Sequence, residues 1–366
     1  MRILYVTTVG GMMGFFKSFI AMLIKEGHRV DIACNDTESV PQEYKDLNCE
    51  IYKLSCERTP FSGGTVKAVR EINRIVKKNG YHIVHCHSPV ASICARIACI
   101  GLRKRGVKVI YTAHGFHFYK GAPLINWALY FPIERFCSRF TDALITINHE
   151  DYSIARDKMK AKKTIYVPGV GINLNKCRLA KVDRAAKREE IGVPSDAVLL
   201  LSLGELNENK NHSTVIYAIA RMENKSVHYA IAGKGELKSQ LEKLARDLGI
   251  EHRVHLLGFR KDVMELCKAS DIYIHPSFRE GLPVSVMEAM ACGLPVIASD
   301  TRGCAELADG EGGLLFSPND IETCKNCIER LLSLDIYEMG QKNMEKAKPY
   351  SEEIINSQMI DIYKVI

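Results

Sequence analysis

Glu280 and Glu288, with seven residues between them in Glu-Gly-Leu-Pro-Val-Ser-Val-Met-Glu, place two carboxylates across a change of backbone form. The preceding run 271–277, Asp-Ile-Tyr-Ile-His-Pro-Ser, alternates as a strand does, and Pro283 stands at a favoured first helical position for a helix over 284–291. Glu280 is therefore predicted in a loop and Glu288 on a helix. A helix start offers unsatisfied amide hydrogens and partial positive charge, so the amides near Gly281 and Leu282 suit a phosphate. Carboxylates would repel that phosphate and are better used on hydroxyls, and the combination describes a pocket for a nucleotide sugar. An isolated glutamate here would more often be a solvated surface residue; the pair in this frame carries the reading.

Other candidate groups stand where an apolar run gives way to glycine or a polar turn. After the run 2–8 come Gly10, Gly11 and Gly14, which permit close backbone approach to a ligand and open a helix over 15–25. Their spacing is not that of a Gly-x-Gly-x-x-Gly dinucleotide loop, the acidic partner is ambiguous between Asp31 and Asp36, and a tight structural turn explains the glycines equally well. His114 follows the run 107–112, where an imidazole can bond a sugar hydroxyl. A lone loop histidine is more often a structural hydrogen-bonding group, a role that His85 and His87 fit better. The loop 204–211 holds Glu205 and Lys210, the latter a cation for a diphosphate in a partly dry cleft where Coulomb terms grow. Gly233-Lys234-Gly235 either borders a donor or is an ordinary turn.

Elements that hold such loops together must alternate strand and helix. Strand-like runs cover 2–8, 29–34, 82–85, 107–112 and 143–147; after the breakers Pro168-Gly169-Val170-Gly171 they resume at 197–203, 228–232, 254–257, 271–275, 295–298 and 313–316. This alternation predicts parallel sheets covered by helices on both faces. The expected fold class is α/β, with two Rossmann-like, doubly wound parallel-sheet domains facing an interdomain cleft. The first is placed at 1–172 and the second at 173–349, with a helix over about 350–366 packing back on the first. Such a pair brings its strand ends, and so its ligand loops, to one cleft.

A chain of 366 residues fits two cores better than one, and 46% hydrophobic with 25% charged residues is globular composition. Thirteen cysteines, an odd number without a paired framework, read as buried apolar residues in a reducing compartment. Cys324 and Cys327 form a Cys-x-x-Cys with no second pair and read as structural, not metal-binding. Met1–Val6 reads as a strand rather than a signal peptide, and the most apolar stretch, 90–102, is interrupted by Arg96, so a cytoplasmic location without a membrane span is expected. The net charge of +7 divides unevenly: residues 1–170 hold 25 Lys and Arg against 14 Asp and Glu, and residues 171–366 hold 25 against 29. The basic half fits a solvated surface, an anionic membrane face or an anionic acceptor; nucleic acid is disfavoured for want of interleaved aromatics. The chain has no Asp-x-Asp to carry a divalent ion on a diphosphate, so metal-independent, cofactor-free catalysis is expected. Absence of a Gly-x-Ser-x-Gly elbow removes support for a serine hydrolase.

Together these residues resemble the retaining glycosyltransferases of family 4, which have the GT-B fold. The resemblance is carried by Gly10-Gly11 with Gly14, Thr112-Ala113-His114-Gly115, Pro168-Gly169-Val170 with Asn173, Leu203-Gly204 to Lys210-Asn211, Ala232-Gly233-Lys234-Gly235, and the segment from Glu280-Gly281-Leu282-Pro283 through Glu288 to Val296. It implies that the second domain binds the sugar nucleotide and the first binds the acceptor. On that pattern Glu288 holds ribose hydroxyls, Glu280 contacts the donor sugar, Gly281 and Leu282 beside Pro283 offer amides to the diphosphate, His114 touches the transferred sugar, and Lys210 stabilises the leaving group. Retention would follow from front-face attack, with a donor phosphate oxygen helping to take the acceptor proton. The stretch His114–Tyr130 looks like the subgroup that builds bacterial capsular, exopolysaccharide or protein-glycan chains on a polyprenyl diphosphate carrier. The implied reaction moves a hexose or N-acetylhexosamine from a UDP-sugar to a lipid-linked saccharide. Its aromatics and Trp127 suit peripheral contact with the inner face of an anionic membrane, and a core helix explains them equally well.

One position departs from the pattern. Where many relatives carry an Arg after the glycine of the Lys210 loop, this chain has Glu205; either Lys210 and the helix amides suffice, or another basic residue enters on closure, with Arg279 and Lys120 the nearest candidates. Two other functions compete: a GT-B UDP-N-acetylglucosamine epimerase, which would isomerise the donor without an acceptor, and a non-catalytic glycan- or nucleic-acid-binding protein, which would bind polymer in a salt-sensitive way.

Overall fold

The computed structural model describes residues 1–57 and 63–366. They form two compact units, Met1–Val170 with Glu352–Ile366, and Gly171–Ser351. The first unit is built on β1 (Arg2–Val6), β2 (Arg29–Cys34), β3 (Ile51–Lys53), β4 (Ile83–Cys86), β5 (Lys108–Ala113), β6 (Ala143–Thr146) and β7 (Lys163–Tyr166), all parallel, in the order β3-β2-β1-β4-β5-β6-β7. The second is built on β8 (Val198–Leu203), β9 (Val227–Ala232), β10 (Val254–Gly258), β11 (Ile272–His275), β12 (Val296–Ser299) and β13 (Gly313–Phe316), also parallel, in the order β10-β9-β8-β11-β12-β13. Both sheets carry helices between successive strands, so the architecture is the doubly wound α/β one expected.

β1 shows why the run is apolar without a gap. Ile3 and Tyr5 point into a core with Phe19, Ile20 and Leu23 of the helix Lys17–Lys25 and with Ile355, Met359 and Ile362 of the helix Glu352–Val365. Leu4 and Val6 point the opposite way, into a core with Ile72 and Val76 of the helix Gly64–Asn79 and Val90 and Ala95 of the helix Pro89–Ala98. From Ile3 to Val6 a two-residue period with both faces buried leaves no exposed position, and only Arg2 at the strand's start is exposed. The strand ends at Val6 rather than Thr8 because the Thr8 amide leaves the ladder and donates to Ser88 Oγ at 2.7 Å.

β3 and β7 were not among the expected strands. They are the two edges of the first sheet, three and four residues long, and each is half-buried or exposed throughout, so neither leaves an apolar signal. The thirteen cysteines are all buried free thiols, and Cys324 and Cys327 pack into the second unit's core from the helix Ile321–Leu332.

In each sheet the chain order reverses once, between β1 and β4 and between β8 and β11. The crevice outside the carboxyl ends of the strands at such a reversal is where open α/β sheets receive ligands. Gly10 and His87 follow β1 and β4; Lys210 and Glu280 follow β8 and β11.

Candidate functional site

In the second unit, local hydrogen bonding shapes the loop after β8. The Asn207 side chain accepts from the Lys210 amide at 3.1 Å and closes a short 3-10 turn over Glu208–Lys210. Asn211 then takes a left-handed conformation, φ 51°, uncommon outside glycine but tolerated by Asn. Its side-chain amide donates to Pro276 O at 3.1 Å and Pro318 O at 2.8 Å. Asn209 donates to Arg279 O at 3.0 Å, and the Phe278 amide donates back to Asn209 O at 2.8 Å. These bonds lace the Lys210 loop to the Glu280 loop.

The two expected site residues meet. Lys210 Nζ is 2.7 Å from Glu280 Oε1, and His275 Nε2 is 3.1 Å from the same oxygen and 3.1 Å from Ser277 Oγ. Burial pushes the His275 pKa down, against the pull of Glu280 beside it, so His275 is neutral and donates Nε2–H to the carboxylate. Burial acts to raise the Glu280 pKa, but the His275 hydrogen bond and the Lys210 charge outweigh it and hold the carboxyl well below the usual range. Glu280 is thus an ionised acceptor with one oxygen engaged by protein donors. Arg302, just past β12, donates Nε–H to Glu280 O at 2.9 Å.

Glu288 is half-buried on the helix Val284–Ala291. Pro283 is the N-cap of that helix, with extended backbone at φ −73° and ψ 117°, and not the first helical residue expected of it; the helix begins without a capping side chain. Leu282 is buried, and Gly281 is pressed by Gly303, where a Cβ would stand 1.9 Å from Gly281 O. Gly235 has a packing cause, since a Cβ there would stand 2.3 Å from Leu206 O. Glu205 is exposed, and its carboxylate accepts from Asn207 Nδ2 at 2.9 Å. Arg279 and Lys120 are both exposed; the Arg279 carbonyl accepts from Asn209 Nδ2, and the Lys120 amide donates to Glu150 Oε1 at 2.6 Å.

In the first unit His114 does not stand alone. Its Nε2 is 3.2 Å from His87 Nδ1, and the His87 ring stacks on Tyr5 with centroids 5.2 Å apart. His85 bonds Tyr363 OH at 2.6 Å and Thr112 Oγ1 at 2.8 Å, and Tyr363 bonds Tyr5 OH at 2.9 Å, so the helix Glu352–Val365 closes the cluster from behind. Burial lowers all three imidazole pKa values, His85 to about 3 and His114 to about 4, leaving them uncharged at neutral pH. The three glycines differ in use. A Cβ on Gly10 would stand 2.1 Å from Asp36 O, the Gly11 amide is taken by Ser39 Oγ at 2.7 Å, and Gly14 is exposed with open space around it.

Comparison with known proteins decides the family. A model described as Glycosyltransferase Family 4 matches residues 9–176, and one described as Glycosyl transferases group 1 matches residues 183–351. The chain is 36% identical over 356 residues to the putative glycosyltransferase EpsD of Bacillus subtilis, covering 95% of this chain and 91% of that one. The chain belongs to glycosyltransferase family 4. This glycosyltransferase is also 30% identical over 341 residues to the Escherichia coli UDP-Gal:alpha-D-GlcNAc-diphosphoundecaprenol alpha-1,3-galactosyltransferase, covering 85% of this chain and 86% of that one. Among solved structures, HepE of Anabaena in complex with UDP superposes at a TM-score of 0.83 with 20% identity and full coverage of both chains, and WaaG at 0.76 with 17% identity over 99% of each, which gives the fold as GT-B. As a member of that family, the glycosyltransferase is a hexosyltransferase.

Sequence reasoning passed over His275, Ser277, Asn209, Asn211 and Arg302. A signal existed for His275, the last residue of an apolar strand aimed at the ligand edge, and for Asn211, an asparagine directly before a helix.

Proposed function

We propose that this glycosyltransferase moves a hexose or N-acetylhexosamine from a UDP-sugar to a saccharide on a polyprenyl diphosphate, with retention, in bacterial surface-glycan assembly. The observation that carries the reading is the Lys210–Glu280 pair at the reversal between β8 and β11, a cation and an ionised acceptor 2.7 Å apart where a donor is received. Relatives support the substrate class. The Escherichia coli protein is named for UDP-Gal and a diphosphoundecaprenol acceptor, and a Campylobacter jejuni relative, 24% identical over 378 residues, for an N-acetylgalactosaminyl transfer to a diphospho-undecaprenol. On this reading Lys210 takes the charge that develops on the departing diphosphate, Glu280 orients the donor sugar, Glu288 the ribose and His114 the transferred sugar. A front-face path needs no glutamate nucleophile, and these fixed charges take the place of a divalent ion.

The lipid-linked acceptor brings the protein to a membrane. Among the described residues no helix is long and apolar enough to cross one. The helix Leu124–Ser138, however, leaves Leu124 85%, Ile125 67% and Phe136 50% exposed in the basic half of the chain, while Trp127 is held against Phe118 and Phe131. Peripheral contact through that helix fits both facts.

The test is transfer itself. Purified protein is incubated with a panel of UDP-sugars, with and without a polyprenyl diphosphate-linked saccharide, in EDTA. Acceptor-dependent UDP release and a product of unchanged anomeric configuration are expected. Failure of every UDP-sugar in the panel to release UDP in the presence of acceptor, or conversion of the donor to an isomer without acceptor, overturns the reading.

A further inference from the structure

A diphosphate at this loop needs more positive charge than Lys210 supplies. The Lys210 ammonium is already paired with Glu280 at 2.7 Å, His275 is neutral through burial, and Glu205 adds a second carboxylate to the loop after β8. Within this bonded group the Glu280 carboxylate offsets the Lys210 charge, so the pair by itself offers a diphosphate little net attraction.

We propose that Arg302 supplies the missing cation, its guanidinium binding the β-phosphate of the nucleoside diphosphate donor in the role left open by Glu205. The proposal rests on the reading of the site as a UDP-sugar pocket. Arg302 follows β12 as Glu280 follows β11, and the two strands are neighbours, with Ile274 opposite Ile297, so both residues leave the sheet at the same edge. Arg302 Nε donates to Glu280 O at 2.9 Å, which fixes the guanidinium to the very peptide that carries the carboxylate. The next residue makes the attachment rigid. A Cβ on Gly303 would stand 1.9 Å from Gly281 O and 2.9 Å from Leu282 Cα, so the backbone beside Arg302 lies directly on the Gly281–Leu282 turn.

The phosphate addressed follows from chemistry. Glu280 faces the donor sugar, the sugar is bonded to the β-phosphate, and a cation tied to the Glu280 peptide is therefore on the sugar side of the diphosphate rather than the base side. Arginine suits this place because its planar fork matches two phosphate oxygens and it stays charged when half-buried.

Calorimetric titration of the full chain with UDP and with UMP tests the assignment, because the two ligands differ only in the β-phosphate. Arg302→Gln is expected to weaken UDP about 10-fold or more while changing UMP less than about 2-fold, the scale of a lost charge-assisted contact. Arg302→Met, which keeps the apolar stem, serves the same measurement should the Gln variant not fold. Equal weakening of UDP and UMP makes Arg302 a support of the loop and overturns the proposal, as does an unchanged UDP affinity. If the wild-type chain binds neither nucleotide, it is the UDP-sugar reading that fails, and the role of Arg302 falls with it.

Discussion

Lys210 Nζ and Glu280 Oε1, 2.7 Å apart, hold each other in a charge pair whose side chains are only 20% and 15% exposed. A diphosphate must therefore compete with Glu280 for the ammonium. Glu280→Gln keeps the shape and removes the competitor, so UDP is expected to bind roughly 10-fold tighter, about 1.4 kcal/mol, in calorimetry. Transfer is expected to slow in the same variant because an amide orients sugar hydroxyls less strongly than an ionised acceptor. Lys210→Ala should lower kcat by about 10²–10³, the usual cost of losing one donor aimed at developing charge. Unchanged UDP affinity in the glutamine variant would mean that the pair is not the gate to the phosphate site.

Glu288 lies on the second turn of its helix, half-buried, where a carboxylate can accept from a ribose diol. The wild-type chain is expected to prefer UDP over 2′-deoxy-UDP by about 1–3 kcal/mol, the cost of an unmade buried hydrogen bond. Glu288→Ala should bind both nucleotides alike and weakly. Competition assays with the two nucleotides measure the difference, and a preference that survives the substitution removes Glu288 from the ribose.

Arg96, fully buried, forks onto Glu134 at 2.8 and 3.1 Å and lies 4.5 Å from the Tyr111 ring centroid, tying the helix Pro89–Ala98 to the helix Leu124–Ser138. Arg96→Ala strands a carboxylate in the interior and is expected to cost about 3–5 kcal/mol in chemical unfolding. Replacing both partners with apolar residues of similar volume should cost far less. A single substitution as mild as the double one would show that Glu134 is readily rehydrated.

The parallel sheets were legible because buried strands such as β1 and β8 are apolar over most of their length, and the glutamate pair because a strand, a proline and a helix frame it. The edges β3 and β7 were not, since a half-buried three- or four-residue strand has little sequence to show. The Lys210–Glu280 pair joins residues 70 apart, and His87–His114 joins residues 27 apart. Each partner was visible as a loop residue, but the contact comes from neighbouring strands in the sheet, which local pattern does not encode. Arg302 was invisible for the same reason: its meaning comes from β12 lying beside β11.

The histidine cluster of the first unit predicts an acid-sensitive fold. His85 faces Tyr363, Tyr5 and Thr112, while His87 faces Tyr5, Phe16 and His114; among these no carboxylate stands ready to stabilise an imidazolium. Burial lowers the pKa values of His85, His87 and His114 below that of an unfolded chain, near 6.5, with His85 down to about 3 and His114 to about 4. Below about pH 6.5 the unfolded state binds protons that the folded state refuses, so stability present at neutral pH is lost as pH falls toward the folded values. The loss should approach about 1.4 kcal/mol per pH unit for each imidazole. Urea unfolding from pH 7.5 to 5 reads this slope, and His87→Gln, which removes one of the three lowered imidazoles, should make it shallower. A slope that does not change with that substitution would place the acid-sensitive protons elsewhere in the chain.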